Sequence, residues 1–173
     1  ALPIFNRYNY KEFIMKRSAT MLMLLLAINI SCTLQHNVSE EDAIALLYDY
    51  FNAIDIENID SDMIDNFVTD DYFIYEAEKK YPKKEFIAFI KEQYKIHNTR
   101  SSEWTFSDFR VSTDLNSAHM SYVNKGEFIS NDGVATRMEW LETGYLVRMD
   151  AGLKRKFMFS DNRKKIGRAS GRE

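Results

Sequence analysis

Two turns bound a long strand pattern in residues 131–152, which read NDGVATRMEWLETGYLVRMDAG. The Asp-Gly pair in the first turn tolerates the positive φ angles that tight hairpin turns require. Between the turns, residues 137–149 are predicted to form one long strand. The second turn covers residues 150–152, and residues 153–160 are predicted to return antiparallel. This stretch therefore predicts the centre of an antiparallel sheet.

Two more strands precede this pair, because the hydrophobic period changes to two near residue 104. Residues 104–111 form one predicted strand. The next strand alternates Ala118, Met120 and Tyr122 and runs to Ile129. Together with the pair described above, they make a four-strand meander.

Helical periodicity dominates the residues before the meander. Ser39 has the form of an N-cap that acidic residues follow, and the apolar stripe from Ala43 predicts an amphipathic helix to about Ile54. A second, short helix is predicted after the Asp60-Ser61 cap.

The aromatic run of residues 72–75 is predicted to be a strand, which the pair Asp70-Asp71 separates from the second helix. Pro82 opens a third predicted helix, which ends near His97. The basic residues around Pro82 are interpreted as a solvated loop and helix start. The fold class is therefore α+β, with three N-terminal helices packed in a cone against a curved, mostly antiparallel sheet.

Composition limits the possible functions of this chain of 173 residues. Its single cysteine excludes an intrachain disulfide and a zinc site built from cysteines. Residues 1–31 carry a net charge of +3 and residues 165–173 carry +2; with −3 on the whole chain, −8 is left on residues 32–164. Because such an acidic body repels phosphate backbones, nucleic-acid binding is disfavoured.

Residues 15–31 have the pattern of a secretory signal peptide. The basic start at Met15 precedes an apolar run of about ten residues, too short for the roughly twenty that span a membrane. Met15 is then the initiator, and residues 1–14 are non-native upstream sequence. The alternative is a buried core helix of the same length.

Cys32 lies directly after the apolar run, where a bacterial lipoprotein carries its lipid-modified cysteine. The stretch partly resembles a lipobox, with the expected small residue at Ser31 but Asn29 where Leu is usual. Lipidation would be the only membrane attachment. It predicts an exported protein, either a periplasmic or outer-membrane lipoprotein or a secreted one. The alternative is a free cysteine in an exported protein.

The predicted domain spans residues 39–162, after a linker at residues 32–38. The tail, residues 163–173, is predicted to be an artefact. Its last nine residues resemble the translation of a short-read sequencing adapter, with Gly171 where that translation has Cys. The alternative is a basic tail without function.

Two stretches carry a family resemblance: NFVTDDYF at residues 66–73 and WLETGYLV at residues 140–147. With the order of elements, they resemble the nuclear-transport-factor-two-like superfamily, in particular SnoaL-like and ketosteroid-isomerase-like proteins. The resemblance covers residues 39–162 and implies a cystatin-like α+β barrel. The superfamily includes isomerases, cyclases, dehydratases and non-catalytic association domains, so the fold alone does not give the activity.

The resemblance also implies three catalytic candidates: Tyr50, Glu76 and Glu142. In ketosteroid-isomerase-like proteins, a tyrosine on the first helix and an acid on a late strand stabilise an enolate. A carboxylate after the first strand moves the proton. Tyr50, Glu142 and Glu76 occupy these places in order. This sequence has Glu at both acidic positions, where the isomerases use Asp.

The neighbours of these three residues are the predicted lining of a ligand pocket. Leu47 lies on the same helix stripe as Tyr50, and Ile74 precedes Glu76 at a spacing of two. Met138 and Trp140 share a strand face with Glu142 by the same alternation. We expect no cofactor, because nucleotide-binding motifs are missing, and no metal, because the three histidines lie on different elements.

A structural interpretation of the three candidates is also open. In it, Tyr50 is a core residue, Glu142 pairs with Arg137 or Arg148, and Glu76 lies at a solvated strand end. Two functions follow. One is a pocket that binds a small, largely apolar ligand and does acid–base chemistry on it; the other is a non-catalytic module for partner binding or dimerisation. The large apolar residues on both faces of the predicted sheet favour a homodimer formed through it.

Overall fold

A computed structural model describes residues 37–169, with side chains up to residue 163. Within these residues, two α-helices, one 3₁₀ turn and six strands follow one another. They are α1 (Glu40–Ile54), the 3₁₀ turn (Met63–Asn66), β1 (Val68–Glu76), β2 (Lys79–Pro82), α2 (Lys83–Ile96), β3 (Thr99–Thr113), β4 (Ser117–Ser130), β5 (Ala135–Met149) and β6 (Gly152–Ala169). No helix among the described residues has the length and apolar character needed to cross a bilayer. Residues 1–14, the predicted signal peptide at residues 15–31 and Cys32 lie outside the described residues.

The six strands form one sheet in the order β2-β1-β6-β5-β4-β3. The predicted meander from β3 to β6 is confirmed, because each of these strands pairs antiparallel with the next. β1 joins the free edge of β6 in parallel, and β2 pairs antiparallel with β1. The sheet is therefore mostly antiparallel, with one parallel pair.

Both long helices lie where the sequence predicts them. Ser39 caps α1: its hydroxyl accepts a hydrogen bond from the Asp42 N–H at 3.0 Å, and the Asp42 carboxylate accepts one from the Ser39 N–H at 3.4 Å. α2 begins directly after Pro82. One hydrophobic core joins the buried sides of both helices to the inner face of the sheet.

The predicted second helix is wrong, because only one 3₁₀ turn forms there. Short polar side chains bond to local backbone groups instead, as where the Ser61 hydroxyl donates to the Asn58 carbonyl at 2.7 Å. Asp62 precedes the turn without a side-chain cap, and Ile64 is the one buried residue of the turn. Helix formation has little to stabilise it in such a segment.

The first strand is longer than predicted, because Asp70 and Asp71 lie within β1. Its pairing with β6 is irregular: Val68 pairs with Arg155, and the next pair joins Phe73 to Phe157. The two aspartates occupy this irregular stretch and do not end the strand.

β2 was predicted as a loop and is instead a short edge strand. Ala77 and Glu78, with φ of 50° and 64°, form the tight turn that joins it to β1. Two-residue hairpins of this kind usually contain Gly or Asn, so this sequence does not indicate a turn. β6 also extends beyond the predicted return strand, because its backbone pairs with β5 as far as Ala169.

Candidate functional site

The inner face of the sheet is set by the alternation of β4 and β5. On β5, Trp140, Glu142, Gly144 and Leu146 are buried, whereas the residues between them are more exposed. Facing Glu142 across the β4–β5 pair is Tyr122, which is also buried. Strand alternation thus confirms that Glu142 points to the interior, on the same side as Trp140.

A bulge in β6 adds a charged residue to this inner face. Leu146 pairs with Arg155 and Tyr145 pairs with Phe157, so Lys156 is the extra residue. In a regular strand, Arg155 would face away from Met158, because the two residues are three positions apart. The bulge instead buries Arg155 on the same side as Met158.

The guanidinium of Arg155 is fully buried and only partly satisfied. Nη1 donates to the Tyr122 hydroxyl at 3.2 Å and approaches the Met158 sulfur at 3.0 Å. Cζ lies 4.4 Å from the centre of the Tyr50 ring. A Cβ at Gly144 would lie 3.3 Å from Nη1, so the missing side chain leaves space for the cation. Nε and Nη2 have no hydrogen-bond partner.

Three buried tyrosines surround this cation: Tyr50, Tyr72 and Tyr122. The hydroxyls of Tyr50 and Tyr72 lie 2.7 Å apart, in hydrogen-bond contact. Burial raises the pKa of Tyr72 and of Tyr122 well above the ordinary tyrosine value, although the charge of Arg155 counteracts it. The hydroxyls are therefore neutral and cannot balance the charge of Arg155.

Glu142 is a buried carboxyl with one unsatisfied oxygen. Its Oε1 accepts a hydrogen bond from the Ser160 hydroxyl at 3.1 Å, and its Oε2 has no partner. Burial raises the pKa of Glu142 to about 7, although Tyr122 and the charge of Arg155 oppose this rise. Near neutral pH, Glu142 is thus present in both its neutral and its ionised form.

Glu76 lies on the other side of Ser160 and is half-buried. Ser160 pairs with Glu142 in the sheet, and the residue before it, Phe159, pairs with Tyr75. Burial also raises the pKa of Glu76; the Ser160 hydroxyl partly offsets this, and the nearby Asp161 adds to it. The structure thus brings the two predicted carboxyls to one part of the inner face.

The proposed ion pairs of Glu142 are not present. Arg137 instead binds Glu127, with 2.8 Å between Nε and Oε2. Arg148 lies at the far end of β5, where it lines an open cleft near α1. Tyr50 is fully buried, as both interpretations of it require.

The predicted pocket residues are mostly part of the core. Leu47 and Ile74 are fully buried, Trp140 is nearly so, and Met138 is half-buried. The Trp140 ring lies 5.9 Å from that of Trp104. None of the predicted pocket residues lines the open cleft, whose volume is about 470 Å³.

Metal binding has no support in the part of the chain that the structure describes. It contains no group of three His, Cys, Asp or Glu side chains placed to hold an ion.

Sequence reasoning missed Arg155, because bulges cannot be located from alternation alone. One feature of the sequence did indicate it: three basic residues, Lys154, Arg155 and Lys156, follow one another within a strand. A strand with one buried face must turn at least one of three consecutive residues inward. The two lysines reach outward, to the Asp65 carbonyl at 2.8 Å and the Asp71 carboxylate at 2.7 Å.

No protein-family sequence model matches this chain, and no curated protein matches it in sequence. Solved structures do match in fold. The hexachlorocyclohexane dehydrochlorinase LinA-type3 from Novosphingobium barchaimii has a TM-score of 0.59 at 12% identity, over 77% of this chain and 96% of that protein.

A CaMKII hub from S. rosetta has a TM-score of 0.55 at 13% identity, over 73% of this chain and 98% of that one. A protein with a cystatin-like fold from Caulobacter vibrioides has a TM-score of 0.56 at 12% identity, over 72% and 89% of the two chains. At these identities, the similarity establishes the fold alone.

Proposed function

We propose that this chain, which has the fold of the nuclear-transport-factor-two-like superfamily, binds a small, largely apolar ligand between its helices and the inner face of its sheet. The observation that carries the proposal is the set of buried polar atoms without partners on that face. They belong to Glu142, Arg155, Asn124 and Trp104. Native proteins rarely leave such atoms unsatisfied, so a ligand or water that meets them is expected.

The two carboxyls give this site the means to move a proton. Burial favours the neutral form of Glu142, which can donate a hydrogen bond to a developing oxyanion through its free Oε2. Glu76 is less buried, so it ionises more readily and is the proposed proton acceptor. Tyr50 is the third proposed catalytic residue, with a hydroxyl oriented by Tyr72. This division into acid and base suits the enolisation of a ketone.

Binding can be tested with 2-naphthol, a neutral aromatic molecule with an enol-like hydroxyl, by calorimetry on the full chain. Catalysis can be tested by NMR, through exchange of the α-hydrogens of 2-decalone in D₂O. The base takes a proton from the α-carbon, and a deuteron from solvent replaces it. We expect exchange at least about a hundredfold above that in buffer.

The variant Glu76→Gln is expected to remove this acceleration. Glu139→Gln is the matched control, because Glu139 lies on β5 with its carboxylate 3.8 Å from Lys125, outside the inner cluster. Binding of 2-naphthol with exchange at the buffer rate would limit the function to binding. Absence of both would contradict the proposal.

Association through the outer face of the sheet is a second candidate function, with another copy of this chain as the partner. Three large apolar residues of this face are well exposed: Tyr75 at 44%, Leu141 at 44% and Phe159 at 47%. Monomers rarely leave a contiguous apolar area uncovered. The similarity of fold to a CaMKII hub agrees with this proposal.

Light scattering at micromolar concentration tests the homodimer. We expect twice the monomer mass for the native chain and the monomer mass for Phe159→Asp. Ile96→Asp is the control, because Ile96 is 61% exposed but lies at the end of α2. A monomeric native chain, or a dimer that Phe159→Asp leaves intact, would contradict this candidate.

Export with lipidation at Cys32 is the third part of the proposal and rests on the sequence of residues 15–32. We expect intact-mass analysis of the chain expressed in a bacterium to show loss of the leader. Cys32 would carry acyl chains in the membrane fraction, and Cys32→Ser would move the protein to the soluble fraction. Retention of residues 1–31 would contradict the signal peptide.

A further inference from the structure

The Nε–Nη2 edge of Arg155 is a buried pair of hydrogen-bond donors without an acceptor. We propose that the ligand of the inner face carries a carboxylate, and that this edge binds it through two parallel hydrogen bonds. The inference rests on the proposed binding function and names the chemical class of the ligand.

The guanidinium is held so that this edge alone lacks a hydrogen-bond partner among the described residues. Nη1 is occupied by the Tyr122 hydroxyl and the Met158 sulfur. The Tyr50 ring lies against the cation, and Gly144 leaves the space that it fills. The fork formed by Nε and Nη2 matches the two oxygens of a planar carboxylate. The protein has therefore oriented a bidentate donor before any acceptor is bound.

The charge of the site favours a single negative charge on the ligand. Arg155 is fully buried, and no described carboxylate lies within ion-pair distance of its guanidinium. A buried cation is strongly unfavourable unless a negative charge balances it, because water no longer solvates it. Glu142, whose pKa the charge of Arg155 lowers, supplies such a charge only in its ionised form. Since Arg155 is the one fully buried cation of the described residues, it suits a carboxylate better than a phosphate dianion.

Glu142 extends this site on the side of Ser160. Its Oε1 is bound to the Ser160 hydroxyl, so Oε2 can carry the proton of the neutral acid. In that form, Glu142 carries no charge and does not repel the ligand carboxylate, and its proton stays available to the reacting oxygen. The ionised form of Glu142 would repel the ligand instead.

The test compares three carboxylates with their primary amides, which have nearly the same shape but no charge. The pairs are benzoate and benzamide, 2-naphthoate and 2-naphthamide, and octanoate and octanamide, each titrated into the full chain by calorimetry at pH 6. We expect at least one acid to bind about tenfold or more tightly than its amide.

Arg155→Lys keeps the charge but loses the fork, so we expect it to weaken binding of that acid by about tenfold and to remove the preference over the amide. Arg137→Lys is the matched control at an exposed arginine and should behave as the native chain. Gly144→Ala is a second variant: its Cβ would press on Nη1, and we expect a smaller loss of the same preference.

Equal binding of acids and amides would overturn the inference, as would a preference that survives Arg155→Lys, or no binding of any acid. The titration with 2-naphthol separates this failure from that of the proposed function. If 2-naphthol binds while the acids bind no more tightly than their amides, the inner face binds a ligand but the inference of a carboxylate on it is wrong. If neither the alcohol nor the acids bind, both proposals fail.

Discussion

The inner and outer faces of the sheet each carry a few residues that reverse the usual distribution of polarity. The inner face buries a cation at Arg155 and a carboxyl at Glu142. The outer face carries aromatic rings in contact with one another, as where Phe73 stacks on Phe157 at 5.7 Å between centroids. Tyr145 continues this cluster, 6.3 Å from Phe157.

This reversal indicates what each face is for. Burying charge costs stability, and leaving aromatic rings in water forgoes the gain of burying them. A fold selected for stability alone would do neither. Polar groups inside suit the proposed ligand, and aromatic groups outside suit the proposed association with a second copy. One strand, β6, serves both faces, with Arg155 inside and Phe157 outside.

The largest expected effect comes from making the same substitution in the core, which the inner face lines, and on the outer face. Leu47→Ala removes a fully buried side chain of α1, so we expect a loss of about 2–5 kcal/mol in the free energy of unfolding. Leu141→Ala acts on a residue that is 44% exposed, so we expect a loss below about 1 kcal/mol. Urea unfolding at concentrations where the chain is monomeric measures both. Equal losses would contradict the assignment of the faces.

The pH dependence of stability should differ in sign between the faces. The folded protein binds the Glu142 proton more tightly than the unfolded chain does, since its pKa is raised from 4.5 to about 7. Its contribution therefore lowers stability as pH rises through this interval, by roughly 3 kcal/mol in total. Glu76 acts in the same direction.

On the outer face, Arg137 lowers the pKa of Glu127, so that pair stabilises the fold above the usual carboxyl pKa and loses its effect as pH falls. Because the pair is exposed to solvent, this effect is small. Urea unfolding from pH 4.5 to pH 7.5 measures the sum of these effects on the free energy of unfolding. Glu142→Gln should remove most of the decline in this free energy with rising pH. A decline that persists in Glu142→Gln would assign it to another group.

Removing a tyrosine hydroxyl should lower the free energy of unfolding appreciably on the inner face only. Tyr122→Phe takes away the acceptor of Arg155 Nη1, so we expect a loss of about 1.5–3 kcal/mol in the free energy of unfolding. Tyr145→Phe makes the same change on the outer face, where we expect less than about 0.5 kcal/mol. If the two variants unfold alike, the buried hydrogen bond to Arg155 contributes nothing.

The smallest expected effect concerns the edge of the outer face. The Lys80 ammonium lies 4.1 Å from the centre of the Phe73 ring. Lys80→Gln removes this cation–π contact, and we expect a loss of about 0.5–1 kcal/mol. Lys84→Gln, at an exposed lysine of α2, should have no measurable effect. Thermal unfolding of the two variants side by side resolves this difference, and equal midpoints would contradict it.

Most of the fold could be predicted, because its elements have strong local patterns. The capping box at Ser39 and the proline before α2 indicate both helices, and alternation indicates β4 and β5. The 3₁₀ turn and β2 could not be predicted in the same way. The turn depends on local hydrogen bonds such as that of Ser61, and β2 on a hairpin without glycine.

The residues of the candidate site also differ in whether local sequence patterns predict them. Glu142 and Tyr50 follow from regular periods, which the structure keeps. Arg155 and its contact with Gly144 depend on the extra residue Lys156, and the position of a bulge is decided by long-range packing. The roles of Glu76, Glu142 and Tyr50 stay predictions, since geometry alone does not show a reaction.

The irregular pairing of β1 with β6 also has a consequence for motion. The ladder between these strands skips residues 69–72, at the level where β6 has its own extra residue, Lys156. A sheet opens locally most readily where backbone hydrogen bonds are missing, because opening there breaks the fewest hydrogen bonds. This gap begins at Val68, the residue that pairs with Arg155. Fluctuations that separate β1 from β6 at this gap would let a ligand enter without disturbing the four-strand meander.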